Sequence, residues 1–148
     1  MPHPPTHRIG VFAVVFDDQG RALVSRRPDN GYYNLPGGGL EPSESVDEGV
    51  IREVREETGL EVTVGRLVGV YAKPQKHEVV LVFTAQIVGG ALQHTAEADD
   101  HQWLHEAELD ALPLLPKHRE RLMHAFRHDL APVVMAQREA SVHSLKGA

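Results

Sequence analysis

The stretch GGLEPSESVDEGVIREVREETGL, Gly38 to Leu60, decides how the rest of the chain is read. Ser45 followed by Glu48 forms a capping box, so a helix is expected to begin just after Ser45, and Gly59 followed by apolar Leu60 is a left-handed stop. On a helical wheel with Glu53 at 0°, Val46, Val50 and Val54 fall at about 20°, 60° and 100°, with Glu57 among them at about 40°. Glu53, Glu56 and Glu57 share an arc of roughly 100°. Glu48, Arg52 and Arg55 take the opposite, wetter side. Carboxylates leaning toward a core cost several kcal/mol each unless a positive group meets them. A hard divalent cation, which takes oxygen ligands and shares them with phosphates, is the natural partner.

Immediately before the helix, Pro36-Gly37-Gly38-Gly39 is expected to continue neither strand nor helix while permitting close approach of backbone to a ligand. Gly38, Glu44, Arg52, Glu53, Val54, Glu56, Glu57, Gly59 and Leu60 match every specified position of the Nudix box, GX5EX7REUXEEXGU, where U is a bulky aliphatic residue. The lead-in YNLPGG, Tyr33 to Gly38, is also similar to that family, with Tyr where Trp is frequent. Gly49 departs from the small residue, such as Ala, that the family commonly carries.

Length and composition bound the rest. With 148 residues, 41% hydrophobic, one core and one domain are expected. A net charge of −6 disfavours a nucleic-acid or anionic-membrane surface. The absence of cysteine excludes disulfides and thiolate metal sites and agrees with a cytoplasmic setting. The N-terminus lacks the apolar core of a signal peptide.

Working outward, residues 1 to 7, rich in Pro and His, read as a mobile tail, and the domain is expected over 8 to 131. Ile9 to Phe16 and Arg21 to Arg27 read as a hairpin about Asp17-Asp18-Gln19-Gly20. Arg26 and Arg27 either reach phosphate oxygens or close an exposed strand end. Tyr32 or Tyr33 stacks on a ring or packs on the helix. After the box come a strand over Glu61 to Val70, interrupted at Gly65 and Gly69, a loop over Ala72 to His77, and a long strand over Glu78 to Val88. An acidic loop then leads into a strand near Trp103. Glu106 to Leu112 reads as a short helix. A second helix from Lys117 has Leu122, Met123, Phe126 and Leu130 on its core face. Residues 132 to 148 show no clear period and read as a partly ordered tail.

The resemblance implies an α/β Nudix fold, a mixed β-sheet sandwiched between α-helices as α/β/α, in a single domain. It implies Mg²⁺ or Mn²⁺ held by Glu53, Glu56 and Glu57 with a backbone carbonyl of Gly37 or Gly38, and Arg52 orienting a glutamate. It implies a general base among Glu53, Glu56 and a downstream acid, Glu97 or Asp100, and substrate contacts from Arg26, Arg27 and Tyr33. The implied reaction splits a nucleoside diphosphate linked to a moiety X into a nucleoside monophosphate and phosphorylated X. The alternative is a Nudix-like sensor that binds a nucleotide without turning it over. Homodimers occur in the family, so a homodimer is within expectation. Pro74 is similar to a proline of some ADP-ribose pyrophosphatases, Ser25-Arg26-Arg27 resembles enzymes that clean damaged nucleoside triphosphates, and the SQPWPxS extension of NADH pyrophosphatases is absent.

Overall fold

The computed structural model describes residues 3–127 and 131–138. Its centre is β1 (Arg8–Phe16), whose period-two alternation sends side chains to both faces of a sheet. Val11, Ala13 and Val15 meet Val50 and Val54 on one side, while Val14, with Phe12 and Phe16, meets Leu122 and Ala125 on the other. The helices that carry these partners, α1 (Val46–Thr58) and α2 (Pro116–Ala125), therefore lie on opposite faces. This is the α/β/α single domain expected from the sequence.

The remaining strands are β2 (Ala22–Arg26), β3 (Tyr33–Asn34), β4 (Gly37–Gly39), β5 (Leu60–Lys73), β6 (Glu78–Gly90), β7 (Asp100–Leu104) and β8 (Val133–Ala136). They form one eight-stranded mixed sheet ordered β3-β2-β1-β6-β5-β8, with β4 paired to β1 and β7 to β2. β1 and β6 run parallel over their shared length, from Arg8 opposite Glu78 to Phe16 opposite Gln86. That pairing, together with β4, brings the loop ahead of α1 alongside the sheet centre.

Local chemistry accounts for α1. The Ser45 hydroxyl accepts the Glu48 N–H, the Glu48 carboxylate accepts the Ser45 N–H, and Gly59 closes the helix at φ 82°. Val50 and Val54 are fully buried, each contributing about 1.5–3 kcal/mol of docking. Their burial offsets the desolvation of Glu53 one turn away, which Arg52 also relieves. Gly49 is small for a reason: a Cβ there would sit 2.6 Å from Leu40 Cδ1.

Several expectations change. The glycine run was expected to continue no strand, yet Gly37–Gly39 pairs antiparallel with Phe12–Gly10, because bare backbone can lie flat against β1. β5 carries register shifts between Val64 and Leu67 and between Leu67 and Gly69, as its glycines indicated. It also runs on through Tyr71 to Lys73, so only a 3-10 turn at Pro74–Lys76 remains of the expected loop. Glu106–Leu112 shortens to a 3-10 turn at Glu106–Glu108. On α2, Leu122 is buried but Met123 is 44% exposed, and Leu130 lies outside the described residues. Beyond Pro132, Val133–Ala136 adds a parallel edge strand to β5, opposite Gly69 to Ala72. Four residues with one wet face are too short a pattern to stand out in the sequence. No helix among the described residues is long and apolar enough to cross a membrane.

Candidate active site

Helix α1 presents Glu53 and Glu57 toward the mouth of a cleft, and the segment before β7 brings Glu97 to meet them. One carboxylate oxygen from each of the three lies within 4.8 Å of the others. Glu53 is buried, Glu57 partly buried and Glu97 exposed, so the trio grades from core to solvent. Around them, Arg27, Pro28, Gly37 and Gly38 help enclose about 450 Å³.

Each acid is held differently. Arg52 donates Nη1 to Glu53 Oε1 at 2.9 Å and to Glu56 at 3.2 Å, donates Nε to Glu44 at 2.6 Å, and donates Nη2 to the Gly39 carbonyl at 3.0 Å. The wheel set Arg52 on the wet side, but its long side chain folds back onto acceptors from four residues and is only 18% exposed. The hydrogen bond from Arg52 holds Glu44 down at about 2. Glu57 accepts the Gly37 N–H at 3.1 Å. Burial pushes the Glu57 carboxyl up to about 8, against the Gly37 bond and with help from Glu53 and Glu97. Burial also raises Glu53, with Arg52 opposing. A donor set of clustered carboxylates, two of them raised by desolvation, fits a hard divalent cation, whose charge would bring both back to the ionised form.

Gly38 belongs to this arrangement through the space it leaves. A Cβ at Gly38 would lie 2.7–2.8 Å from all three terminal atoms of the Glu53 carboxyl, so only glycine lets that group approach the strand.

The other predicted site residues divide. Glu56 is exposed and tied to Arg52 rather than joined to the trio. Asp100 is engaged elsewhere, accepting the Tyr33 hydroxyl at 2.5 Å and the Gln102 amide at 2.9 Å. Tyr33 is itself 5% exposed, beneath the Arg26 guanidinium at 5.9 Å, while Tyr32 is in solvent. Arg26 pairs with Asp99 at 2.8 Å. Arg27, forked onto Asp29 at 3.0 and 2.8 Å, is the arginine of the pair that lines the cleft. Arg8, Lys73, Lys117 and His118 line an adjoining cavity and carry no mark in the sequence. No spacing links a strand end to the start of a distant helix.

A mixed sheet between two helices, with a loop-helix unit delivering carboxylates to its mouth, is matched over residues 6–126 by the model of the NUDIX domain. The chain belongs to the NUDIX family and is a Nudix hydrolase. A MutT-like protein of Streptomyces ambofaciens is 45% identical over 101 residues, covering 68% of this chain and 66% of that protein. An ADP-ribose pyrophosphatase of Methanocaldococcus jannaschii is 33% identical over 121 residues, 78% of this chain and 70% of that one. The NAD-capped RNA hydrolase NudC of Pseudomonas aeruginosa is 40% identical over 105 residues, 69% of this chain but only 37% of NudC. Among solved structures, a NUDIX hydrolase from Nitrosomonas europaea superposes with a TM-score of 0.79 at 21% identity, covering 93% of this chain and 82% of that one, a likeness of fold.

Proposed function

We propose that the protein hydrolyses a pyrophosphate bond in a nucleoside diphosphate linked to X, with Mg²⁺ or Mn²⁺, yielding a nucleoside monophosphate and phosphorylated X. The observation that carries this reading is the meeting of Glu53, Glu57 and Glu97 within 4.8 Å at the mouth of a cleft. Names among the relatives, ADP-ribose pyrophosphatase and NAD-capped RNA hydrolase, support the same bond type. A cytoplasmic nucleotide pool is the setting we assign.

When bound, a divalent cation neutralises phosphate oxygens and makes a neighbouring water more acidic. Glu53 and Glu57 are the residues that would hold it, and we assign the Gly38 carbonyl a place beside them. Arg52 fixes Glu53, and the Gly37 N–H fixes Glu57, so neither must be ordered during the reaction. Arg27 faces the cleft and supplies a fork for a phosphate oxygen, shared with Asp29. Glu97 lacks a side-chain partner among the described residues, which leaves its lone pairs available to accept a proton from water. That water forms a new P–O bond, the bridging P–O bond breaks, and the leaving phosphate departs with the electron pair. Glu56 and Asp100, each engaged elsewhere, take supporting parts in this assignment.

The test is turnover of ADP-ribose, nucleotide sugars, dinucleoside polyphosphates and nucleoside triphosphates with Mg²⁺ or Mn²⁺, read by product analysis. Glu53→Gln and Glu57→Gln are expected to reduce turnover of a confirmed substrate by orders of magnitude with the fold retained. Unchanged turnover in both variants would overturn the assignment.

A further inference from the structure

Past the carboxylates the cleft opens into a second cavity of about 360 Å³, whose wall includes Arg8, Asn34, Lys73, Lys117 and His118. Both cavities are lined by Arg27, Gly37, Gly38, Glu57 and Glu97, so a molecule lying over the carboxylates extends from one into the other. The charges at the far end do not balance. Arg27 is engaged by Asp29, and Lys73 by Glu78 at 3.0 Å, both within the same wall. Neither Arg8 nor Lys117 has an ion-pair partner among the described residues. Burial, together with Lys73, Arg121 and Lys76, pulls the Lys117 ammonium down to about 8.

Two polar side chains more than nine-tenths buried also line this cavity. Asn34, 7% exposed, has a side-chain oxygen with no hydrogen bond, an acceptor open to a hydroxyl or N–H of the same ligand. His118, 3% exposed, accepts the Leu35 N–H at Nδ1 over 3.2 Å, so the neutral ring carries its proton on Nε2 as a further donor. The first turn of α2 also belongs to this wall, and its N-cap Leu115 offers no side-chain cap to the positive end of the helix.

We propose that this second cavity recognises an anionic group, a carboxylate or a phosphate, on the part of the substrate beyond the scissile pyrophosphate, with Lys117 and Arg8 as its charged donors. A neutral sugar or base in that place would leave Arg8 and Lys117 without an anionic partner. The inference rests on the hydrolytic reading above and narrows its substrate class to molecules carrying a second anionic group.

Two matched pairs test it. UDP-glucuronic acid against UDP-glucose isolates a carboxylate, and 2′-phospho-ADP-ribose against ADP-ribose isolates a phosphate. Binding is measured by calorimetry in EDTA, and kcat and KM are measured with Mg²⁺. The anionic member of at least one pair is expected to bind about 10- to 100-fold more tightly than its twin. The same preference is expected in KM, and the responding pair identifies the group. Lys117→Met, which keeps the apolar stem, and Arg8→Gln, on a different element, should each shrink that ratio through KM. Equal or absent binding across both pairs, or a preference untouched by both substitutions, overturns the inference. Preferential binding without hydrolysis of any member would uphold this inference and overturn the hydrolytic reading alone.

Discussion

Gly38→Ala places a methyl group against the Glu53 carboxyl. The added Cβ would sit 2.7 Å from Glu53 Oε1 and 2.8 Å from its carboxyl carbon and Oε2. Non-bonded heavy atoms settle at about 3.5–4.0 Å, so the carboxyl must retreat by about 0.7 Å or more. A shift of that size disturbs the 2.9 Å bond from Arg52 and the approach of the carboxyl to Glu57 and Glu97. Misplacements on the scale of 1 Å cost about 100-fold in rate, and that is the expected fall in metal-dependent turnover. The backbone of Gly38 is not left-handed, so the fold should persist with the cost of about 1–3 kcal/mol typical of overpacking. Gly89→Ala is the control, since its Cβ would meet only Glu61 Cβ at an ordinary 3.7 Å. Turnover with product analysis, alongside thermal unfolding, reads both effects. Folded Gly38→Ala protein within threefold of wild-type activity would refute the reasoning.

Other perturbations follow from the same geometry. If Glu97 accepts the proton, Glu97→Gln should lower kcat by about 100-fold or more, whereas Asp100→Asn should act through stability by weakening the Tyr33 contact. Comparing kcat with the urea midpoint of each variant separates the two, and the reverse pattern would transfer the role to Asp100. His118 is buried, and burial, reinforced by Arg121, Lys117, Lys73 and Arg27, holds its pKa well below the ordinary value. The unfolded chain takes up this proton near pH 6.5 and the folded chain does not, so its contribution is fully present above that pH. It is lost as pH falls below it, by about 1.4 kcal/mol per unit. His118→Asn, which keeps an acceptor for the Leu35 N–H, should flatten the change in urea midpoint between pH 7.5 and 5.5, and an unchanged slope would contradict the assignment.

The parts of this molecule legible in its sequence are those set by near neighbours along the chain. The ends of α1 were readable because a capping box and a left-handed glycine act within a few residues. Glu53 and Glu57 stood out because the wheel placed them beside Val50 and Val54, and the structure keeps them there. Features that depend on distant partners were hidden. Gly37–Gly39 is a strand only because β1 lies beside it, and Val133–Ala136 only because β5 offers an edge. Sequence left Glu97 and Asp100 equivalent, and Tyr33, far away in the chain, separates them by occupying Asp100. A helical wheel registers direction but not reach, which is why it assigned Arg52 to solvent when its guanidinium bridges Glu44, Glu53 and Glu56. Lys73 and Lys117 become neighbours only after β5 and α2 have docked.

Glu53 and Glu57, with Glu97 beside them, are proposed here as the seat of a divalent cation. An anomalous difference map from crystals soaked in Mn²⁺ tests it most directly. A peak is expected within about 2.0–2.5 Å of carboxylate oxygens from both Glu53 and Glu57, with Glu97 facing it across a water. No peak among these carboxylates, or occupancy only at surface acids such as Glu41 or Glu48, would contradict it.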